Sequence, residues 1–494
     1  MVGAQAGSKN SPQPKRTSRE GKLMEESNSL YSLVVVTKMS AFGVLGQFDH
    51  HLELDKSETF GIIYGPNGVG KTRFLEIIDA ISSLDSWKLL GLPFEHASLE
   101  FSDSSVLKVI RSGEPQPEAT EADVAGPQVL PDLQYIYIDS SGVPHEWVPA
   151  DLELTPMMLS RFERYGWERI SAHTWRDSSD GEIVDTRTLL DRLSPRIGLD
   201  YPRGRRPHPV TPEETATREF MAHARTFLIE TQRLRMEVAR PEGPGSGMVR
   251  KSREMPRIRQ LAEGLVERLT QAQTEHSRIT QKLDRTFPYR VMQAARQSGT
   301  HDAGAENKII EEYKDQGKFR SRLGSVAAVE LEEELPLPEE GLGAWDLALL
   351  ALYVDDTRQK LVPFNDVIAK IDLLEDIINR RLLGKRLTVT SATGLEIFRD
   401  SDHGKIELES LSSGEQHEII LITELLFDVG PGSLVLIDEP EISLHVAWQL
   451  AFIPDVMRIA KAAGFRFIVA THSPQIINED WDKATRLGPE GVPL

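Results

Sequence analysis

The chain contains no cysteine. Disulfides, thiolate zinc sites, Fe–S clusters and cysteine nucleophiles are therefore excluded together, and a cytoplasmic location is the natural expectation. It also lacks any apolar run of the ~18 residues that a membrane span needs. Residues 1–28 are polar and partly basic (Lys9, Lys15, Arg16, Arg19, Lys22) and have no apolar signal-peptide core. They read as a disordered tail, with a nucleic-acid arm as the alternative. Excess positive charge is missing too: the formal net charge is −19. So acidic a surface repels nucleic-acid backbone, so any such contact has to be local, whereas protein partners are easily accommodated. The local candidates are Arg203-Arg205-Arg206 and Arg250-Lys251-Arg253-Arg257-Arg259. Aromatics are only 7% of the chain and none interleaves with these clusters to stack bases, which favours a solvated or partner-binding surface.

At 494 residues with 39% hydrophobic content, the chain can bury two or three cores. Residues 30–38 and 46–54 read as strands around a Gly-containing turn, and "TFGIIY" (59–64) as a short buried strand. "GPNGVGKT" follows, then a helix from Thr72 to about Leu84. Residues 97–150 alternate apolar and polar, as in an antiparallel sheet, with an exposed loop at "EPQPEATEADVAGPQ". From about 155 the periodicity turns helical. Phe220, Ala224, Phe227, Thr231, Leu234 and Val238 step by four and three, as do Ile258, Leu261, Leu265, Leu269, Ala272, His276, Ile279 and Leu283. Two helices of about 28 residues, each about 40 Å long, are expected. They form either a projecting antiparallel hairpin or a compact helical lobe. An acidic linker covers 331–343. Helices resume over 344–383 with an interruption near Pro363, followed by strands at 386–392, 395–399 and 405–409. The end of the chain then alternates helix and strand: 414–428, 433–438, 445–462, 466–470. That alternation implies a parallel sheet.

The domain division that follows is a tail (1–28), the N-terminal part of a nucleotide-binding head with a β subdomain (29–154), a helical, coiled-coil-like insertion (155–330), the linker (331–343), a helical and β return segment (344–404), and the C-terminal part of the head (405–494).

Gly65-Pro66-Asn67-Gly68-Val69-Gly70-Lys71-Thr72 matches G-x-x-x-x-G-K-[ST] between a strand and a helix. Glycines let backbone N–H groups wrap phosphates, with the helix N-terminus behind them. Lys71 supplies a positive charge to the β- and γ-phosphates of ATP, and the Thr72 hydroxyl a ligand to Mg²⁺. In "LVLIDEP" (434–440) an apolar strand ends in Asp438, suited to Mg²⁺, and Glu439, suited to accept a proton from an attacking water. In "VATHSPQII" (469–477) a second strand ends at Thr471-His472, where the imidazole can reach the γ-phosphate. "LSSGEQ" (411–416) starts a helix 340 residues after Lys71. Other constellations are weaker. His50-His51 has no third metal ligand nearby. Asp355-Asp356 reads as a solvated helix face.

In chain order, the phosphate loop, "LSSGEQ", the strand ending in Asp438-Glu439 and the strand ending in His472 resemble the ABC-type ATPase heads of the SMC, RecF and OLD group. The resemblance implies an α/β P-loop head with a mixed sheet, an antiparallel β subdomain and a large helical insertion. It implies ATP and Mg²⁺ as cofactors, and a homodimer of heads, or a higher homo-oligomer, in which each "LSSGE" caps the nucleotide of the partner. Ser412 and Gly414 would touch that nucleotide, and Glu415 occupies the Q/E position. Ser413 stands in place of the usual Gly. Glu441, Ile442, Ser443 and Leu444 occupy the D-loop, with Glu441 in place of the usual Ser or Thr. None of Gln116, Gln128 and Gln134 has the context of a Q-loop glutamine.

The stretch 411–449, "ATHSPQIINEDWD" and "LDRTFPYRV" (283–291) are similar to the AAA-annotated ATPases of prokaryotic anti-phage systems, the AriA type of PARIS first and the PtuA type of Septu next. Such an ATPase acts as sensor or scaffold for a separate effector, a nuclease, under a phage-derived trigger. With 22 residues after His472, no C-terminal Toprim nuclease is expected in the chain itself. Two further readings stay open: a RecF- or SMC-like DNA-repair or DNA-clamp ATPase, and a non-catalytic scaffold stabilised by nucleotide.

Overall fold

The computed structural model describes residues 34–112, 132–149, short runs between 159 and 193, 211–229, 235–236, 255–297, 303–327, 337, 342–444 and 446–488. The tail, the loop at 114–128 and the cluster Arg203-Arg205-Arg206 lie outside the described residues, as do Arg250, Lys251 and Arg253.

Two sheets organise the head. The first is antiparallel: β1 (Val36–Val44), β2 (Phe48–Glu53), β4 (His96–Phe101), β5 (Val106–Ser112), β6 (Asp132–Ile138) and β7 (Pro144–Trp147), in the order β2-β1-β4-β5-β6-β7. The second is parallel and contains β3 (Phe60–Tyr64), β11 (Thr226–Ile229), β17 (Leu434–Asp438), β18 (Arg466–Thr471) and β19 (Ala484–Arg486), in the order β11-β17-β18-β3-β19. Three short strands, β8 (Trp167–Arg169), β9 (Thr174–Asp177) and β10 (Ile183–Asp185), make a separate antiparallel sheet. β12 (Arg235–Met236) and β13 (Met255–Pro256) pair as a two-residue ladder.

The parallel strands are continuous apolar runs because both faces are covered. Alternate residues serve different cores. Ile62, Val435, Ile437, Phe467 and Val469 join a core shared with the long helices. Ile63, Leu434, Leu436, Ile468 and Ala470 join one shared with the antiparallel sheet and with helix α1 (Lys71–Ser82). Arg466 ties the two sheets together. Its guanidinium donates to the carbonyls of Val36, Leu54, Asp55 and Glu58 at 2.6–3.0 Å.

The helices after α1 are α2 (Ser86–Leu90), α3 (Pro212–Met221), α4 (Arg257–Gln297), α5 (Ala303–Ala327), α6 (Ala344–Asn379), α7 (Ser413–Phe427), α8 (Val446–Ala463) and α9 (Pro474–Ile477). The hairpin β14 (Lys385–Thr390) and β15 (Gly394–Arg399), extended by β16 (Lys405–Ile406), sits at the base of α4 and α6.

Three expectations are corrected. The stripe Phe220–Val238 is not a helix: α3 ends at Met221, and Phe227 lies in β11, paired with Val435 in the central sheet. Phe227 and Ile229 face one core and Leu228 the other, the period of two that a short apolar run hides from a helical count. Thr231, Leu234 and Val238 lie outside the described residues. The span 155–330 thus contributes a strand to the head as well as helices. Second, α6 runs through Pro363 without a break. The nearby Lys360 carbonyl accepts from His276 Nδ1 of α4 at 2.7 Å, which ties the two helices together beside the proline. Third, Asp356 is not solvated. It is buried on α6 and held by Arg290 of α4, with Nη2 to Oδ2 at 2.7 Å.

The second stripe is helical, as α4, but its partner is α6 rather than the chain before it. Leu261, Leu265 and Leu269 pack with Phe364, Ile368 and Ile371. Asp284–Lys360 and Arg290–Asp356 fix the antiparallel register. Among the described residues no helix is long and apolar enough to cross a membrane.

Candidate functional site

The site lies at the C-terminal edge of the parallel sheet, where ligands of open α/β sheets bind. Three neighbouring strands end there: β3 in the phosphate loop, β18 in Thr471-His472 and β17 in Asp438-Glu439. The loop from Gly65 to Gly70 makes a tight path that side chains would block. A Cβ at Gly65 would stand 2.3 Å from the Leu487 carbonyl oxygen. Gly70 has φ +87° as the N-cap of α1, and a Cβ there would press on Val44 at 2.9 Å. Asn67 and Gly68 are exposed at the loop tip.

His50, read from sequence as structural, supports this loop from below. It is buried on β2, and its Nε2 donates to the Val69 carbonyl at 2.7 Å. Burial lowers its pKa, so it serves as a neutral donor. An isolated His on a strand carries no sequence signal for this role.

Lys71 is buried and its ammonium donates to the Gly65 carbonyl at 3.1 Å, the Pro66 carbonyl at 3.3 Å and His472 Nε2 at 2.6 Å. Burial pulls its pKa down, while Glu439, Asp438 and Glu441 oppose that. His472 Nε2 also lies 3.1 Å from Glu439 Oε1. One ring nitrogen cannot accept from an ammonium and donate to a carboxylate at once. The Lys71 ammonium lies 2.6 Å from Nε2 and 3.4 Å from Nδ1, so Lys71 and Glu439 compete for the same imidazole.

Thr72 Oγ1 donates to Asp438 Oδ2 at 2.9 Å. Asp438 is buried, and its carboxyl is pushed up to about 6. Burial is the main cause, with Glu439 and Glu76 adding to it and the Thr72 hydrogen bond and Lys71 opposing. A hydroxyl and a carboxylate meeting at one point fit Mg²⁺, a hard cation that completes its octahedron with phosphate and water. No cluster of three or more His, Asp or Glu side chains suited to a metal occurs among the described residues, and Mg²⁺ needs none.

Glu439 follows with φ +42°, a left-handed conformation uncommon for a non-glycine residue. Its amide donates to the Ala470 carbonyl at 2.8 Å, which holds the turn against β18. Glu441 is the third carboxylate of the site. Its Oε1 accepts from Thr471 Oγ1 at 2.8 Å and from the His472 amide at 2.6 Å, while Oε2 has no hydrogen-bond partner among the described residues. Where a Ser or Thr was the usual residue, a carboxylate thus ties the loop after β17 to the end of β18. Ile442 beside it is 64% exposed.

Ser412 and Gly414 are not brought to this phosphate loop. Ser412 is the exposed N-cap of α7, and its side chain hydrogen-bonds Glu415. Gln134 lies on β6 and donates to Glu146 at 3.0 Å, while Gln116 and Gln128 are outside the described residues. The described part of the second basic cluster is engaged internally. Arg257 pairs with Glu424 and Asp428, and Arg259 with Glu409.

Comparison with known proteins agrees with this chemistry. A family model described as "AAA domain, putative AbiEii toxin, Type IV TA system" matches residues 263–478. The chain is 41% identical over 69 residues to "Protein ea59" of Escherichia phage lambda, and 30% identical over 131 residues to "Retron Ec83 probable ATPase" of Escherichia coli. These matches cover 14% and 24% of this chain, and the chain spans only 13% and 24% of those relatives. Among solved structures, an SMC head domain with an extended coiled coil from Pyrococcus furiosus aligns over 90% of this chain and 91% of its own, at 13% identity and TM-score 0.33. The SMC head domain from Thermotoga maritima aligns over 92% and 99%, at 12% identity and TM-score 0.28. Residues 263–478 are thus similar to an AAA-domain family, and the sheet order and phosphate loop make an α/β P-loop head. That conclusion rests on the matched segment, the sheet order and the geometry of Lys71, Thr72 and Asp438, not on those structural alignments.

Proposed function

We propose that this chain binds ATP with Mg²⁺ and hydrolyses it slowly, in a site completed by a second copy. The observation that carries this reading is the convergence of Lys71, Thr72, Asp438, Glu439 and His472 on one sheet edge. The loop amides and Lys71 take the phosphates, with Lys71 exchanging His472 for phosphate oxygen. Thr72 and Asp438 would hold a Mg²⁺, which would offset the negative charge of the phosphates. Glu439 accepts the proton of the attacking water as its oxygen bonds the γ-phosphorus and the bond to ADP breaks. His472 hydrogen-bonds the γ-phosphate, with Glu441 fixing its backbone. Ser412, exposed and remote from its own phosphate loop in hydrogen bonding, donates together with the Gly414 amide to the nucleotide of the second copy.

The heads then pair while ATP lasts and part after hydrolysis, so pairing is a switch. We infer that this switch holds or releases a separate effector, a nuclease, in anti-phage defence of the PARIS or Septu kind. Support comes from the local likeness to a retron ATPase and from the net charge of −19, which suits protein partners better than DNA. The internal pairing of Arg257 and Arg259 weighs against the DNA-clamp alternative.

The test is the native mass of Glu439→Gln purified with ATP and Mg²⁺ from cells carrying the neighbouring genes. ATP-dependent pairs of the 55.3 kDa subunit, with a second protein bound, are expected. A monomer in saturating ATP removes the pairing. A bare pair with DNA-stimulated turnover moves the function to a DNA clamp. Wild-type turnover should exceed that of Glu439→Gln by about a hundredfold or more. Equal rates would leave only a nucleotide-stabilised scaffold.

A further inference from the structure

The motif "LSSGE" contains a carboxylate where a phosphate is to arrive. Glu415 sits at the third position of α7, and its Oε2 accepts from the Ser412 amide at 3.0 Å and the Ser412 hydroxyl at 2.8 Å. This capping box satisfies the helix end. It also places a negative charge in the field that an incoming anion would use. A nucleotide γ-phosphate approaching Ser412 would be repelled, and it would compete with Glu415 for the same hydroxyl.

Lys385 answers both problems. Its ammonium donates to Glu415 Oε1 at 2.8 Å and Oε2 at 2.9 Å. Burial would raise the Glu415 carboxyl, but Lys385 and Ser412 outweigh it and hold the group below its ordinary range, ionised and engaged. With both oxygens bonded to Lys385, the Ser412 hydroxyl can turn to a phosphate without leaving the carboxylate unsatisfied. Lys385 is placed to respond to the helical insertion. It opens β14 just after α6, following Gly384. Near the end of α6, Arg381 grips the next turn of the same helix through Glu418, and α8 through Asp455. Arg257 and Arg268 of α4 reach the far end of α7 at Asp428. The base of the long helices therefore holds α7 at three levels by charge.

We propose that Lys385 is a positioning residue for cross-subunit nucleotide capture: it neutralises Glu415 so that Ser412 and the α7 N-terminus can accept the γ-phosphate of ATP bound to a second copy, and it transmits displacement of the α4–α6 helices to that contact. This rests on the pairing proposed above.

The experiment measures ATP-dependent pairing by analytical ultracentrifugation in the Glu439→Gln background, and ATP binding to single subunits with a fluorescent ATP analogue. Lys385→Met is expected to weaken pairing about tenfold, more at low salt than at high, with single-subunit binding held within about twofold. Glu415→Gln keeps the capping geometry and removes the charge. It is expected to restore pairing in the Lys385→Met background to within about threefold, and alone to tighten pairing. If Lys385 merely braced β14 against α7, Glu415→Gln would break that brace and reproduce the loss instead of rescuing it. That result overturns the inference, as does unchanged pairing in Lys385→Met. Should Lys385→Met not fold, Glu415→Gln alone decides, since weaker pairing refutes the charge argument. If the Glu439→Gln parent does not pair in ATP, the pairing itself fails and this inference falls with it, a pattern distinct from pairing that ignores Lys385.

Discussion

Asp438 carries a cost in the nucleotide-free protein that can be measured. Its carboxyl titrates near 6 when folded, against an ordinary 3.8. At ~1.36 kcal/mol per pH unit, holding it ionised in the folded state costs about 3 kcal/mol at pH 7.5. Asp438→Asn removes the charge and keeps an oxygen to accept from Thr72. The variant, in EDTA and without nucleotide, should therefore be more stable than wild type by up to about 3 kcal/mol, with Tm raised by several degrees. The sign with pH follows from linkage. The folded pKa is the raised one, so the folded protein binds the proton more tightly. The penalty is complete above about 6 and disappears below 3.8. The gap between variant and wild type should thus shrink to about 1.6 kcal/mol at pH 5. Mg²⁺ and ATP reverse the order. They should stabilise wild type by at least about 2.7 kcal/mol at a hundredfold excess over Kd, and the variant far less. Urea unfolding at pH 5, 6.5 and 7.5, with and without Mg²⁺ and ATP, measures all of this. The reasoning is refuted if Asp438→Asn is the less stable protein in EDTA, or if Mg²⁺ with ATP stabilises both equally.

Three further perturbations test the supports of the site. Glu441→Ala should lower kcat about tenfold or more with KM little changed, because the amide of His472 and the Thr471 hydroxyl lose their acceptor. Glu441→Gln, which still accepts both, should stay within about threefold of wild type, and a fall as deep as alanine's would mean that the charge matters rather than the hydrogen bonds. His50→Ala should weaken ATP binding about tenfold in a titration with a fluorescent analogue, since it leaves the Val69 carbonyl without its donor; unaltered affinity would show that the phosphate loop holds its shape unaided. Arg290→Met leaves Asp356 buried without its guanidinium and should cost about 3 kcal/mol in urea unfolding, most of it recovered by adding Asp356→Leu. A double variant no more stable than the single would point to packing loss, not the unpaired charge.

How much of this was legible from residues alone depends on how local the signal is. The phosphate loop, the run ending at Asp438 and the run ending at His472 were readable because each is a short apolar strand followed at once by its functional residue. In the fold these strands stand side by side, β17-β18-β3, so three sequence-local signals become one site by sheet pairing. Phe227 shows the opposite case. Four residues of β11 carry too few periods to distinguish a strand from the tail of a helix, and only the register with Leu434–Ile437 decides it. Pro363 misled for a related reason: its helix-breaking tendency is local, while the core that buries Phe364, Val367 and Ile368 of α6 against α4 is assembled from distant parts of the chain. Charge was the least legible. Asp355-Asp356 looks like any exposed acidic pair until α4 brings Arg290 onto it. Lys385, Arg381 and Arg257 look like ordinary surface cations until all three are found paired with carboxylates of α7. A long-range ion pair leaves no spacing or period in the chain. The contacts that bind the helical insertion to the "LSSGE" helix are therefore the part of this molecule that sequence reading could least have supplied, and they are where its nucleotide response is most open to test.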